Sequence, residues 1–384
     1  MFSMRFIRPQ RLLAATFAVG VGLAVSSVAQ ARELIYASAI PARHPTHVIG
    51  TDPYFAAITA ATNGSITFKS YPGGTLAGPK SVLNAIKNGT ADMGLLADIY
   101  TPNDLPVSTL VSDLAVLGRD ARVMTGAINQ TLLVECAACK KDYLGHKVLP
   151  LASYSLTPYH FMCTPPGISD LADVKGKKIR GTGSMGQLVA ALGGTPVNIT
   201  SSEIYEALQR GQADCALGPT PWLKSYSLWD MVRAVTTSSV GTYHGTNFLN
   251  IRTDTWKKLS AKEKKAFTDA LPHATRMIAE AYEKDDAAIQ TEAESKGVKW
   301  VKTAPSLEEA IAKFRESDIK RVIATAESRG VKDAEPIVKA FIASVEEWTK
   351  IVDQIGPGVW TTDAQWDKYE QALKTHVFDK VKYP

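Results

Sequence analysis

The chain of 384 residues is short of cysteine: it has 4, too few for a disulfide framework to carry a fold of this length. With 20 prolines and 27 glycines it is neither collagen-like nor of low complexity. A dominant charge is missing as well. Lys and Arg total 43 against 38 Asp and Glu, and no Lys/Arg block occurs, so nucleic-acid binding has no electrostatic footing. Beyond the N-terminal region no apolar run approaches the length of a membrane-crossing helix, roughly 18 residues. What is left is a globular composition, 45% hydrophobic and 21% charged, in a chain long enough for two domains at about 100–200 residues each.

The first 31 residues read as an export signal. Arg5, Arg8 and Arg11 make a basic start, Leu12 to Val25 is apolar, and Ala29-Gln30-Ala31 offers an A-x-A cleavage site. The apolar run has 14 residues, short of the roughly 20 that span a bilayer. Cleavage after Ala31 removes three Arg, leaving 43 − 3 = 40 basic against 38 acidic residues. The mature protein is expected to be near neutral and periplasmic.

The rest of the chain states one unit twice. Residues 34–40 read as a strand, 45–62 as a helix, 65–71 as a strand, 79–88 as a helix and 91–97 as a strand. Strands 176–181, 195–199 and 213–217 alternate with helices 184–192 and 202–210 in the same way. Such alternation predicts β-α-β units and parallel sheets. At an offset of 122, Ala85/Ala207, Gly89/Gly211, Ala91/Ala213, Asp92/Asp214 and Leu95/Leu217 are identical. The glycines fit the left-handed residue that ends a helix. Two similar α/β lobes are expected, with a ligand cleft at the carboxyl ends of their strands and hinge closure around it. From Thr255 onward the pattern turns helical, charged on one face and apolar on the other, apart from a short strand at 298–303.

Arg180 is the strongest candidate for chemistry. It ends a strand, and Gly181-Thr182-Gly183-Ser184 then opens a helix. Free backbone N–H groups and the positive helix end favour an anion there, and a guanidinium grips a carboxylate with two parallel bonds. The same segment reads G-x-G-x-x-G, but the dinucleotide reading fails. The strand before it is basic and no acid ends the next strand. Cys136-Ala-Ala-Cys139 lies late in a helical run over 121–140, not after a strand, which argues against a thioredoxin-like unit. It reads as a structural disulfide or two inert thiols. Cys163 and Cys215 pair if their strands are neighbours. His44 and His47 stand at a helix entry, and no H-E-x-x-H, clustered metal spacing or G-x-S-x-G occurs.

Taken in succession, YPGGTLAGPKSVLNAIKNGTADMGL (71–95), DVKGKKIRGTG (173–183), GGTPVNITSSEIYEALQRGQADCALGP (193–219) and TWKKLS (255–260) resemble the periplasmic solute-binding proteins of TRAP transporters, the dicarboxylate-type family. The resemblance covers about residues 33–350. It implies a two-lobe, type II-like periplasmic binding protein: each lobe a mainly parallel sheet flanked by helices, a long inter-lobe helix and a helical C-terminus. Lobe 1 would take 32–155 and lobe 2 156–239, each with part of 240–384. The implied function is capture of a small carboxylate solute and its delivery to TRAP permease membrane subunits, by a monomer without cofactor or metal. An exported α/β enzyme acting on a small organic acid is the rival.

Arg180 matches the family's carboxylate-binding Arg. Two positions depart from the family pattern. Leu217-Gly218-Pro219 stands where Glu-Asn-Pro is common, and Tyr159-His160 where a second Arg is common. One anchoring Arg among several aromatics implies a monocarboxylate with an apolar or aromatic body. The expected ligand-binding residues are Arg180, Thr182, Tyr159, His160, Trp222, Tyr243, Tyr100, His44 and Asn247, with none catalytic.

Overall fold

The computed structural model describes residues 1–2 and 31–384; the export-signal reading of 1–31 lies almost wholly outside them. Among the described residues, eleven strands run in chain order as β1 (Arg32–Ala37), β2 (Ile66–Tyr71), β3 (Met93–Ala97), β4 (Val148–Tyr154), β5 (Tyr159–Cys163), β6 (Lys178–Arg180), β7 (Thr195–Val197), β8 (Cys215–Pro219), β9 (Ala234–Thr236), β10 (Thr246–Arg252) and β11 (Lys299–Val301). They form two sheets, ordered β2-β1-β3-β10-β4 and β11-β9-β5-β8-β6-β7.

The repeat seen in the sequence is a repeat of topology. β2-β1-β3 and β7-β6-β8 are the same parallel arrangement. Gly89 and Gly211 have φ of 79° and 64°, the left-handed conformation that lets a helix stop and a strand begin. The repeated acids explain themselves. Asp92 accepts the Ile35 N–H at 3.0 Å, and Asp214 accepts the Lys178 N–H at 2.8 Å. Each carboxylate pins the strand that its own strand pairs with, so both serve the fold.

The fourth strand of each repeat comes from elsewhere in the chain. β10 lies antiparallel between β3 and β4, and β5 lies antiparallel between β8 and β9. The sheets are therefore mixed: parallel through the β-α-β units, antiparallel at the strands that cross over. The chain passes from the first sheet to the second between β4 and β5 and returns between β9 and β10.

Other differences are local. The expected 45–62 helix begins as a wide turn over Thr46–Thr51 before Asp52–Ala61. The 121–140 run breaks at Cys136, whose φ of −95° and ψ of 87° are not helical. Both cysteine pairs are disulfides, Cys136–Cys139 and Cys163–Cys215. The second joins directly opposed residues of β5 and β8. The Leu271–Glu294 helix packs on β4 of the first sheet and on β11 of the second, the inter-lobe helix that the family resemblance implies. Among the described residues no helix is long and apolar enough to cross a membrane.

Candidate functional site

A cavity of about 50 Å³ lies where strands of both sheets end. A buried water takes about 10–15 Å³ on this scale, so the space suits a small solute. The first sheet contributes Ala39 and Ile40 after β1, and Ile99 and Tyr100 after β3. The second contributes Arg180 and Thr182 at the end of β6, Ser201 after β7 and Trp222 after β8. This is the place where open α/β sheets bind ligands.

Arg180 is 2% exposed and held from three sides. Its Nε donates to the Ile199 carbonyl at 3.0 Å and Nη1 to the Leu217 carbonyl at 3.3 Å. Nη2 donates to the Tyr100 hydroxyl at 3.2 Å. Three of the five guanidinium N–H groups are thereby used and two remain. No carboxylate among the described residues forms an ion pair with it. A buried cation without an anion is costly, and the cavity is where an anion would complete it.

Tyr100 comes from the first sheet and reaches the second. Its oxygen accepts from Arg180 and from the Ser201 N–H at 3.0 Å. With both lone pairs taken, the hydroxyl proton is left to donate. The Trp222 ring lies 5.7 Å from the Arg180 guanidinium carbon and 5.7 Å from the Tyr159 ring. Aromatic walls and one cation thus share a small volume.

The helix end beside Arg180 is already occupied by the protein itself. The Ser184 N–H donates to Asp113 Oδ1 at 3.2 Å, and Arg329 pairs with Oδ2 of the same carboxylate at 3.4 Å. Burial pushes the Asp113 carboxyl up, while Arg329 and the Ser184 N–H pull it back. The sequence reading gave this helix end to the ligand; the structure gives it to Asp113. Gly183 makes the approach possible. At φ +53°, a Cβ there would collide with Asp113 Oδ1 and Ile99 Cδ1.

Of the nine expected residues, Arg180, Thr182, Tyr159, Trp222, Tyr243, Tyr100 and His44 line the cavity. The Tyr243 hydroxyl is spent on Asp98 Oδ1 at 2.9 Å. His44 takes the Thr46 N–H on Nδ1 at 3.2 Å, which assigns the ring proton to Nε2, 3.1 Å from the Tyr282 hydroxyl. Burial, with a smaller push from His47, lowers its pKa to about 3. It is a neutral group that offers no second cation.

His160 and Asn247 do not line the cavity, for one reason. Successive strand residues face opposite ways. On β5 Tyr159 faces the cavity, so His160 turns away and bonds the Thr236 carbonyl at 2.8 Å. Burial lowers its pKa, while Asp286 favours the charged form. On β10 Thr246 faces the cavity, and Asn247 turns away to Tyr143 and Ser153. Sequence reasoning missed Tyr154, Tyr226, Tyr282 and Asp113, which also line the space. Tyr226 follows Trp222 at helical spacing, a usable signal; Tyr282 sits inside a long amphipathic helix and gives none.

A cavity between two α/β sheets, built around a cation with free donors, belongs to the class of two-lobe ligand-capture proteins. The chain is a member of the bacterial extracellular solute-binding proteins, family 7, whose profile matches residues 36–325. Its fold is similar to that of a TRAP periplasmic solute-binding protein from Bordetella bronchiseptica that holds (R)- and (S)-mandelate. That likeness has 25% identity and a TM-score of 0.71, over 82% of this chain and 99% of that one. A solute-binding protein of Albidiferax ferrireducens is 24% identical over 50% of this chain and 55% of its own length. A monocarboxylate 2-oxoacid-binding periplasmic protein of a Nostoc species is 27% identical over 44% and 47%. The match thus spans about half the length of these two curated relatives. The family is periplasmic and solute-binding, and the resemblance read from the sequence agrees with it.

Proposed function

We propose that this chain captures a small monocarboxylate in the cavity between its sheets and hands it to a TRAP-type permease. The observation that carries the reading is Arg180: buried, unpaired by any acid among the described residues, and with two N–H groups still to give. Two parallel N–H donors match a carboxylate's two oxygens, and the Tyr100 hydroxyl supplies a third bond from the opposite sheet. A second carboxylate would find no free cation in the lining, where His44 is neutral and Asp113 is itself an acid, and burying an unpaired charge costs several kcal/mol.

Tyr159, Trp222 and Tyr226 favour an apolar or aromatic body, in keeping with the mandelate held by the Bordetella protein. The lobes would divide as 32–155 and 156–239, each completed from 240–384. The strand exchange supports this, since β10 joins the first sheet and β11 the second. We take the leader to be cleaved after Ala31, and the protein to capture its solute without turning it over.

Calorimetric titration of the mature chain with mandelate, benzoate and succinate tests the reading. Saturable binding of a monocarboxylate, with succinate at least about tenfold weaker, is expected. Tight succinate binding at pH 8 with no monocarboxylate binding would refute it.

A further inference from the structure

Resting on that reading, we propose that Trp222 forms a second polar subsite, so that the favoured solute is a monocarboxylate carrying an uncharged oxygen acceptor, a hydroxyl or a carbonyl, on its body. Trp222 is 4% exposed and lines the cavity, yet its Nε1 has no hydrogen-bond partner among the described residues. Indole N–H is a donor only, and buried donors in folded proteins are almost always paired. A group left open inside a ligand cavity is completed by the ligand.

The neighbouring hydroxyls show why no protein group does this. Burial holds the Tyr282 hydroxyl well above its ordinary range, the indole N–H beside it giving a smaller opposing pull, but the two do not meet hydrogen-bond geometry. The Tyr282 oxygen instead accepts from His44 Nε2, whose tautomer the Thr46 N–H assigns. The Tyr154 oxygen takes the Thr46 hydroxyl at 2.9 Å. Tyr226 directs its hydroxyl to Ser201 Oγ at 3.2 Å. These side chains serve one another around the wall and leave the indole N–H unpaired.

The subsite is also near the anchor. Arg180 and Tyr159 each lie 5.7 Å from a Trp222 ring centroid. A solute held by its carboxylate on Arg180 therefore brings its next few atoms alongside the indole. A site built to bond a substrate oxygen discriminates strongly against the analogue without it, because the protein's donor is then left unmade. An unsubstituted acid would strand the Trp222 N–H; a hydroxy or oxo acid would complete it.

The test is calorimetry on the mature chain with matched acids: phenylacetate against mandelate and phenylglyoxylate, and benzoate against 3-hydroxybenzoate. At least one oxygen-bearing acid is expected to bind about tenfold or more tighter than its parent. Trp222→Phe keeps an aromatic ring and removes the N–H, and should bring that ratio to within about threefold; Trp222→His, which returns a donor, should restore part of it. Thermal melts of the unliganded variants check that each is folded, and the wild-type ratios decide without them. Ratios within about threefold on wild type, as would follow if a water completes the N–H, overturn the subsite and leave the carboxylate reading standing. An advantage that persists unchanged in Trp222→Phe also overturns it. Failure of every acid to bind wild type overturns both.

Discussion

Replacing Arg180 with Ala removes the only described cation paired with nothing but neutral acceptors in the cavity, and the consequence can be worked through. In the unliganded protein, the Ile199 and Leu217 carbonyls and the Tyr100 hydroxyl lose a donor, and the enlarged cavity admits water to replace it. In the liganded protein a two-point charged contact disappears, and the carboxylate is left in a buried site without a counter-charge. Losses of this kind run to about 2–5 kcal/mol, which is roughly 30- to 4,000-fold in affinity. Ligand at a thousand times the wild-type Kd stabilises the folded state by about 4.1 kcal/mol. A thousandfold weaker variant gains only about 0.4 kcal/mol from the same solution. With an unfolding entropy of about 2.1 cal/mol/K per residue over about 350 residues, these become shifts of about 6 °C and about half a degree. Arg180→Lys should recover little, since an ammonium cannot span the Ile199 and Leu217 carbonyls and a carboxylate at once. The assay is a thermal melt with and without mandelate or benzoate, backed by calorimetry. Binding by Arg180→Ala within threefold of wild type would show that the anchor lies elsewhere.

Three further outcomes are expected. Gly183→Ala drives a methyl group into Asp113 and Ile99 and strains a left-handed residue, at a cost of about 1–3 kcal/mol; scattering should show a larger radius of gyration with ligand than wild type, and an unchanged profile would count against it. The Cys163–Cys215 bridge closes a loop of separation 52 and Cys136–Cys139 one of separation 3, so removal as Ala pairs should cost about 4 and about 2 kcal/mol by loop entropy; urea melts that reverse the order would refute the assignment. Asp98 is raised to about 7, mainly by burial, and touches Tyr243 in the cavity wall. A bound anion further disfavours its ionised form, so affinity should fall as pH rises from 6 to 8.5, by about 1 kcal/mol or about fivefold. Asp98→Asn should flatten that profile, and a wild-type profile that rises with pH would have the sign wrong.

The parts of the fold legible in the sequence were those fixed by neighbours along the chain. Gly89 and Gly211 end helices because only glycine adopts that turn freely, and Asp92 and Asp214 recur because each pins a strand beside it. Arg180 was legible for the same reason, since strand, turn and helix follow one another locally. What escaped depends on facing direction and on distant partners. His160 and Asn247 sit one residue from Tyr159 and Thr246, and in a strand one residue is the difference between cavity and back face. Asp113 lies 71 residues from Ser184, and no local pattern announces that it takes the helix end.

The strand that the second half lends to the first sheet sets an order on synthesis. A fragment covering 32–155 would hold β3 and β4 with the place between them vacant, since β10 arrives only at Thr246–Arg252. Two bare strand edges side by side invite pairing with other chains. The first sheet cannot close until residue 252 has emerged, nor the second until Lys299–Val301 is available to β9. Pairings over such separations are slow to form, so a growing chain stays open for most of its length. Cutting the gene between the halves would give a first piece that lacks β10 and a second that carries β10 without its neighbours, and coexpression, not separate refolding, is the route by which such pieces would reassemble.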